Sequence, residues 1–136
     1  MRIDTIIDEL TAVIREDSYF EDMKVIYSYP SAPKPSRINN VYIALGIGEI
    51  NLKSDYIDDS KRMGELQINI DIFAPLKMNG RDVAKIFTRL CSRFNRYNVL
   101  SISASNIHID NYIQANTLKT SVKFCDEIDF GGIEYE

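Results

Sequence analysis

Few residues of this chain could carry chemistry. His108 is the single histidine, and in Ile107-His108-Ile109-Asp110 it alternates with two isoleucines, so a strand there points its ring away from them, towards the surface. One histidine admits at most one nucleophile and base pair, and neither a nucleophile elbow nor a phosphate loop accompanies it. Cys91 and Cys125 are the only cysteines, which together with one histidine fall short of a zinc set. Cys91 lies on an apolar helical stripe, where a thiol acts as a small hydrophobe. Asp58-Asp59 and Asp126-Glu127-Asp129 could draw a hard cation weakly, yet neither has the ordered spacing and mid-loop glycine of a calcium loop. Gly46-Ile47-Gly48 begins like a dinucleotide fingerprint, but position 51 is Asn and Ile50, Leu52 and Tyr56 continue as strand, so the glycines mark a bulge or bend. The expectation is a protein that is not an enzyme and has no metal and no cofactor.

The elements that hold these residues follow from periodicity. Ile3, Ile6, Ile7, Leu10, Val13 and Ile14 recur every three or four residues, predicting a helix from about Asp4 to Arg15. Met23 to Tyr29 reads as a strand with Val25, Tyr27 and Tyr29 on one face. Pro30, Pro33 and Pro35 make Pro30 to Arg37 an extended loop that cannot be a central strand; its PxxP spacing could also suit an aromatic groove. Asn40 to Leu45 alternates as a half-buried strand. After a turn at Asp58-Asp59-Ser60 comes the most regular alternation, Leu66, Ile68, Ile70 and Ile72 against Glu65, Gln67, Asn69, Asp71 and Phe73, with one face core and the other wet or between subunits. A strand from Lys61 to Ala74 spans roughly 45 Å, so its hairpin projects beyond the body.

Pro75 ends that strand, and Asn79 with Asp82 three residues on predicts an N-cap opening a helix to about Tyr97. Val83, Ile86, Phe87, Leu90, Cys91 and Phe94 form its apolar stripe, and Arg81, Lys85, Arg89, Arg93 and Arg96 line its other side. Strands near Ile107 to Gln114 and Leu118 to Asp126, joined around Ala115-Asn116-Thr117, close the chain. Helices separated by runs of strands imply α+β: a mostly antiparallel sheet with a long projecting β-hairpin and two helices packed on one face.

At 136 residues, with 45% apolar and 26% charged composition, the chain fits a single domain, residues 1 to 136, with a core that needs no staples. Its longest apolar runs fall far short of a bilayer, and Met1-Arg2-Ile3-Asp4 runs straight into an amphipathic pattern without a secretory h-region, so a cytoplasmic protein without membrane contact is expected. The net charge is −4, and Asp126, Glu127, Asp129, Glu134 and Glu136 stand together without a base, which disfavours sequence-specific nucleic-acid binding. The polar flanks of the hairpin, Lys53, Asp55, Asp58, Asp59, Lys61 and Arg62, are candidates for contact with a neighbouring copy, or a solvated tip. Arg89 and Arg93 on the basic helix face, and the acids Asp126 and Glu127, complete the candidate interface residues.

The starting helix Ile3 to Ile14, the Pro-rich loop before a strand (Pro30 to Leu45), the long strand Gly64 to Ala74, the helix Asn79 to Tyr97 and the closing pair ending Lys119-Thr120-Ser121-Val122-Lys123-Phe124 follow one another in an order that resembles small phage tail terminator or tail completion proteins. That family occurs in siphophages, contractile phages and phage-derived tail-like particles. The resemblance covers nearly the whole chain and has no signature residue. It implies a structural protein of virion assembly: a homo-oligomer, a hexameric ring or collar, that binds the tail tube protein, stops its stacking and meets the neck or sheath protein. It implies also that the chain ends in a virion or tail-like particle, with DNA passing the lumen past the acidic segment. A baseplate or neck connector, and a monomeric small-ligand-binding α+β domain, are the alternatives the same order allows.

Overall fold

The computed structural model describes residues 1–28, 38–58 and 61–129, with 54–58 and 61 described by backbone. Ile6, Ile7, Leu10, Val13 and Ile14 form the buried stripe of the first helix, α1 (Ile6–Arg15). A short 3-10 turn, Ser18–Phe20, follows and buries Phe20. The strands are β1 (Lys24–Tyr27), β2 (Tyr42–Asp58) and β3 (Lys61–Pro75); the second helix, α2 (Gly80–Ser92), precedes β4 (Val99–Ala104), β5 (His108–Asp110) and β6 (Ala115–Asp129). Tyr29, the loop Pro30 to Arg37, and Asp59 and Ser60 of the expected turn lie outside the described residues.

The fold is α+β. One sheet runs in the order β1-β2-β3-β6-β4, with β5 also on β6. All pairings between these strands are antiparallel except β1 with β2, which are parallel, as is an isolated bridge between Arg2 and Asp129. Leu66, Ile68, Ile70 and Ile72 on β3 face the same way as Phe124, Val122, Thr120 and Leu118, their partners on β6. Both helices cover this face, and Ile43, Leu45, Val83, Ile86, Leu90 and Phe94 join it in one core. Phe124 sits at its centre, edge-on to Phe94 and Tyr97 with ring centroids 5.9 and 5.5 Å apart.

The α2 N-terminus is fixed as its sequence predicts. Asn79 Oδ1 accepts from the Asp82 N–H at 2.9 Å and Asp82 Oδ2 from the Asn79 N–H at 3.3 Å, a capping box whose N-cap contributes about 1 kcal/mol.

Five sequence expectations change. The helix expected to reach Tyr97 ends at Ser92, because the Arg93, Phe94 and Tyr97 N–H groups donate three residues back, to Leu90, Cys91 and Phe94, a tightened 3-10 pattern that cannot continue an α-helix. Strand β4 was not expected at all. The strand placed at Ile107 to Gln114 shrinks to β5, since Asp110 Oδ1 accepts from the Tyr112 and Ile113 N–H groups and turns the chain there, with Gln114 at φ 54°. Ala115, Asn116 and Thr117, expected as that turn, are instead the first residues of β6, paired with both β3 and β5. The far face is also not wholly polar: Phe73 is buried beside Ile38, Ala44, Ile113 and Ala115 in a second small cluster.

The long hairpin is present, with 17 residues in β2 and 15 in β3. It is not a two-stranded ribbon, because β6 pairs with β3 from Pro75 down to Lys61. Close approach at its outer part depends on Gly64, where a Cβ would lie 2.8 Å from the Asn51 carbonyl oxygen. The N-terminal residues then add to the outer end of β6: the Met1 ammonium donates to Glu127 O at 2.8 Å and the Asp129 N–H to Met1 O at 2.7 Å.

Candidate functional site

Among the described residues no group of three His, Cys, Asp or Glu side chains could hold a metal. His108 is exposed, and its Nδ1 lies 3.3 Å from the Asn106 carbonyl oxygen, with no nucleophile bonded to it. Cys91 and Cys125 are free thiols, both partly buried; burial pushes the Cys91 thiol up from its ordinary value. No described helix is long and apolar enough to cross a membrane.

Two shallow depressions are formed by described residues. One, about 600 Å³, runs along α2 between Tyr19, Arg81, Ala84, Lys85, Thr88, Arg89 and Ser92. Its Arg89 is already bonded within the chain: Nε and Nη2 donate to Asp17 at 2.6 and 3.1 Å. The same guanidinium lies 5.4 Å over the Tyr19 ring. The Arg89 hydrogen bond, then the Tyr19 N–H, hold the Asp17 carboxyl well below the usual range, at about 2. The other depression, about 500 Å³, opens on the uncovered sheet face between Ser28, Asn69, Asp71, Ser103, Ser105, Lys119 and Ser121. Neither has two carboxylates among these lining residues.

The candidate interface residues do not form one site. Lys53 is exposed on β2; Asp55 and Asp58 belong to the outer part of the same strand, and Asp59 lies outside the described residues. Lys61 opens β3 opposite Asp58 and Asp129, and Arg62 follows opposite Tyr56 and Ile128. Asp126 and Glu127 are partly buried on β6, opposite Gly64 and Met63; Glu134 and Glu136 lie outside the described residues. Arg89 and Arg93, expected to face solvent or a neighbour, make bonds within the chain, Arg89 while remaining exposed: Arg93 Nη2 reaches Val13 O and Glu16 Oε2, at 3.4 and 3.3 Å, and Arg96 joins Glu16 at 2.7 Å. Three of the five cations on the basic face therefore bind α1 and its exit to α2.

Among the described residues, what the fold leaves unused is backbone. Strand β1 covers the outer side of β2 only from Tyr42 to Leu45, and among the described residues no strand lies beyond it. At the opposite end β4 has β6 on one side and no described strand on the other. Unpaired strand edges are templates for another strand. Both carry half-exposed apolar side chains, Ile47 and Ile50 on β2 and Leu100 and Ile102 on β4. Sequence reading missed the second edge because the extra residue Leu100 breaks the alternation of Val99 to Ala104.

Neither the family models nor the curated proteins compared with this chain match it.

Proposed function

We propose that this protein is a structural assembly subunit, a terminator or collar protein whose closed ring caps a phage-type tail tube and joins it to the neck or sheath. One observation carries the reading: among the described residues, a 17-residue strand at the side of a six-stranded sheet has an outer neighbour over only four of its residues. An edge that long, bordered by exposed Ile47 and Ile50 and with no catalytic set beside it among the described residues, suits completion by another chain better than turnover of a small molecule. The tail-terminator reading adds the order of elements noted in the sequence, the hexameric closure and the tube, neck and sheath proteins as partners. A virion or tail-like particle is the corresponding location.

In this reading the mechanism is geometric. Each copy offers one surface to the next, the ring closes when the rotation per copy divides the circle, and the closed ring presents no further site for tube subunits. Asp126, Glu127 and Asp129, with the acids that follow them in sequence, repel phosphate, so DNA passes a lumen they line without adhering.

Native mass spectrometry with electron microscopy of tail preparations tests this. A ring seated at the head-proximal end of tubes is expected. A ring at the baseplate end would reassign the protein as a connector, and a single chain at high concentration would remove the assembly reading.

A further inference from the structure

The outer edge of β4 is complementary to itself. Its backbone directions are set by β6. The Ser105 N–H donates to Lys119 O at 2.9 Å, and Ala104, Ser103 and Ile102 pair in step with Thr120, Ser121 and Val122. Backbone groups on an antiparallel strand point alternately towards and away from the neighbour. Ser101, Ser103 and Ser105 therefore turn theirs to β6, and Leu100, Ile102 and Ala104 turn theirs outward. Among the described residues no strand receives them. Every residue from Leu100 to Ala104 is exposed, Leu100 at 54% and Ile102 at 37%.

This stretch is bounded at both ends. Leu100 is an added residue, since β4 takes two steps from Val99 to Ser101 where β6 takes one, from Phe124 to Lys123, and the bulge bends the strand away before it. Beyond Ala104 the strand ends. An antiparallel copy that uses all three outward residues has one register: Ile102 lies opposite its own copy, and Leu100 and Ala104 lie opposite each other. Ile102 ends a row that continues through Val122 and Ile68 on the helix-covered face, so the second Ile102 extends that row, while the large Leu100 meets the small Ala104.

Charge favours the same partner. From Val99 to Ile107 the sequence has no charged residue and no proline, the devices that ordinarily keep an edge from pairing. Set against itself, the edge brings no like charges together, because Lys123, beside Ser101 in the sheet, has Ser103 of the second copy as the next residue in its row.

We infer that two copies of this chain pair through β4 about a two-fold axis at Ile102. A contact between like surfaces closes at two copies, so it goes beyond the ring proposed above and is separate from the contacts that would close one. A strand this short buries less than the roughly 800 Å² per partner of a stable complex. The pair therefore forms at high concentration and separates on dilution, and while formed it withdraws the edge from other strands.

Two sets of variants of the full chain test the pairing. Ile102→Lys and Ile102→Glu each set like charges opposite one another across the axis, at an exposed position where circular dichroism verifies the fold. In sedimentation velocity each alone is expected to lose the species at twice the 15.6 kDa chain mass, and an equal mixture is expected to regain it, a rescue that a folding defect would not show. Separately, Ile102→Cys and Ser103→Cys are each made in a background carrying Cys91→Ala and Cys125→Ala. Ile102→Cys alone is expected to give a covalent dimer on mild oxidation, since opposed residues lie about 5.5 Å apart at Cα, within disulfide reach. Ser103→Cys alone is expected to give none, its own copy lying diagonally at about 7–8 Å. A mixture of Lys and Glu variants that stays single, or a dimer from Ser103→Cys with none from Ile102→Cys, would overturn the pairing. Rings at tube ends without the Ile102→Cys dimer would overturn the pairing alone, and pairs without rings would overturn the capping role alone.

Discussion

Arg89 grips Asp17 across 72 residues of sequence, Nε donating to Oδ2 at 2.6 Å and Nη2 to Oδ1 at 3.1 Å. The carboxylate caps the 3-10 turn after α1 through the Tyr19 N–H, so one side chain ends the first helix region and ties it to the second. Two-point contact fixes orientation as well as distance. It engages one cation of the basic helix face within the chain while leaving that side chain half exposed.

Replacing Asp17 with Asn should therefore weaken the fold at neutral pH, and the loss should fade in acid. The carboxyl titrates at about 2 in the folded chain against an ordinary 3.8. A depressed acid contributes stability that is complete above the unfolded value and is lost as pH falls through the folded one. The window runs from roughly pH 4 to pH 2, and because the Arg89 side chain is half exposed, solvent screening keeps the effect modest. Urea unfolding of wild type and Asp17→Asn at pH 7, 4 and 2.5 checks it; a difference that does not shrink with acid rejects the account.

Much of this architecture is legible in the sequence wherever one face is buried. The stripe from Ile6 to Ile14, the alternation Leu66 to Ile72 and the Asn79 cap each depend on neighbours close in sequence or on a strict period, and each forms where expected. What escaped depends on tertiary context. Val99 to Ala104 hides its period behind a bulge, and its outer residues are exposed, so burial writes little alternation into it. Asn116 reads as a turn residue, yet its side chain donates to Met78 O at 2.7 Å, in the turn between β3 and α2. Arg89 and Arg93 look like surface charge because their partners, Asp17 and Val13, lie far away in sequence.

Phe124→Ala should be the most damaging single change on β6. The ring is fully buried between Phe94 and Tyr97 in edge-on contacts, and truncating a buried Phe to Ala costs about 3–5 kcal/mol. Equilibrium denaturation gives the value; a loss under about 1 kcal/mol would mean the site refills, contrary to its packing.

Thr120→Val should stabilise. Its hydroxyl is buried on the helix-covered face, opposite Ile70 and Ala104, without a hydrogen-bond partner. A buried hydroxyl left unpaired costs about 1–3 kcal/mol, and Val fills the same shape without it. A rise in unfolding midpoint at unchanged m-value is expected, while a fall would show that the hydroxyl is solvated or bonded in solution.

Gly64→Ala tests whether the outer hairpin is a rigid part of the sheet. The added methyl would meet the Asn51 carbonyl oxygen at 2.8 Å, Leu52 Cδ2 at 3.1 Å and Ile128 Cγ1 at 3.3 Å. Two of these neighbours are side chains that can turn aside, but the carbonyl belongs to β2, so β2 and β3 must separate locally. Overpacking of this kind costs about 1–3 kcal/mol. The damage should be confined to one end: hydrogen exchange should quicken for amides near Leu52, Gly64 and Asp126, which are register partners, and stay slow at Ile70 and Val122 in the core. Uniform quickening would instead mean that the sheet opens as one unit, and an end that unfolds only with the whole would have no separate freedom to adapt to a partner.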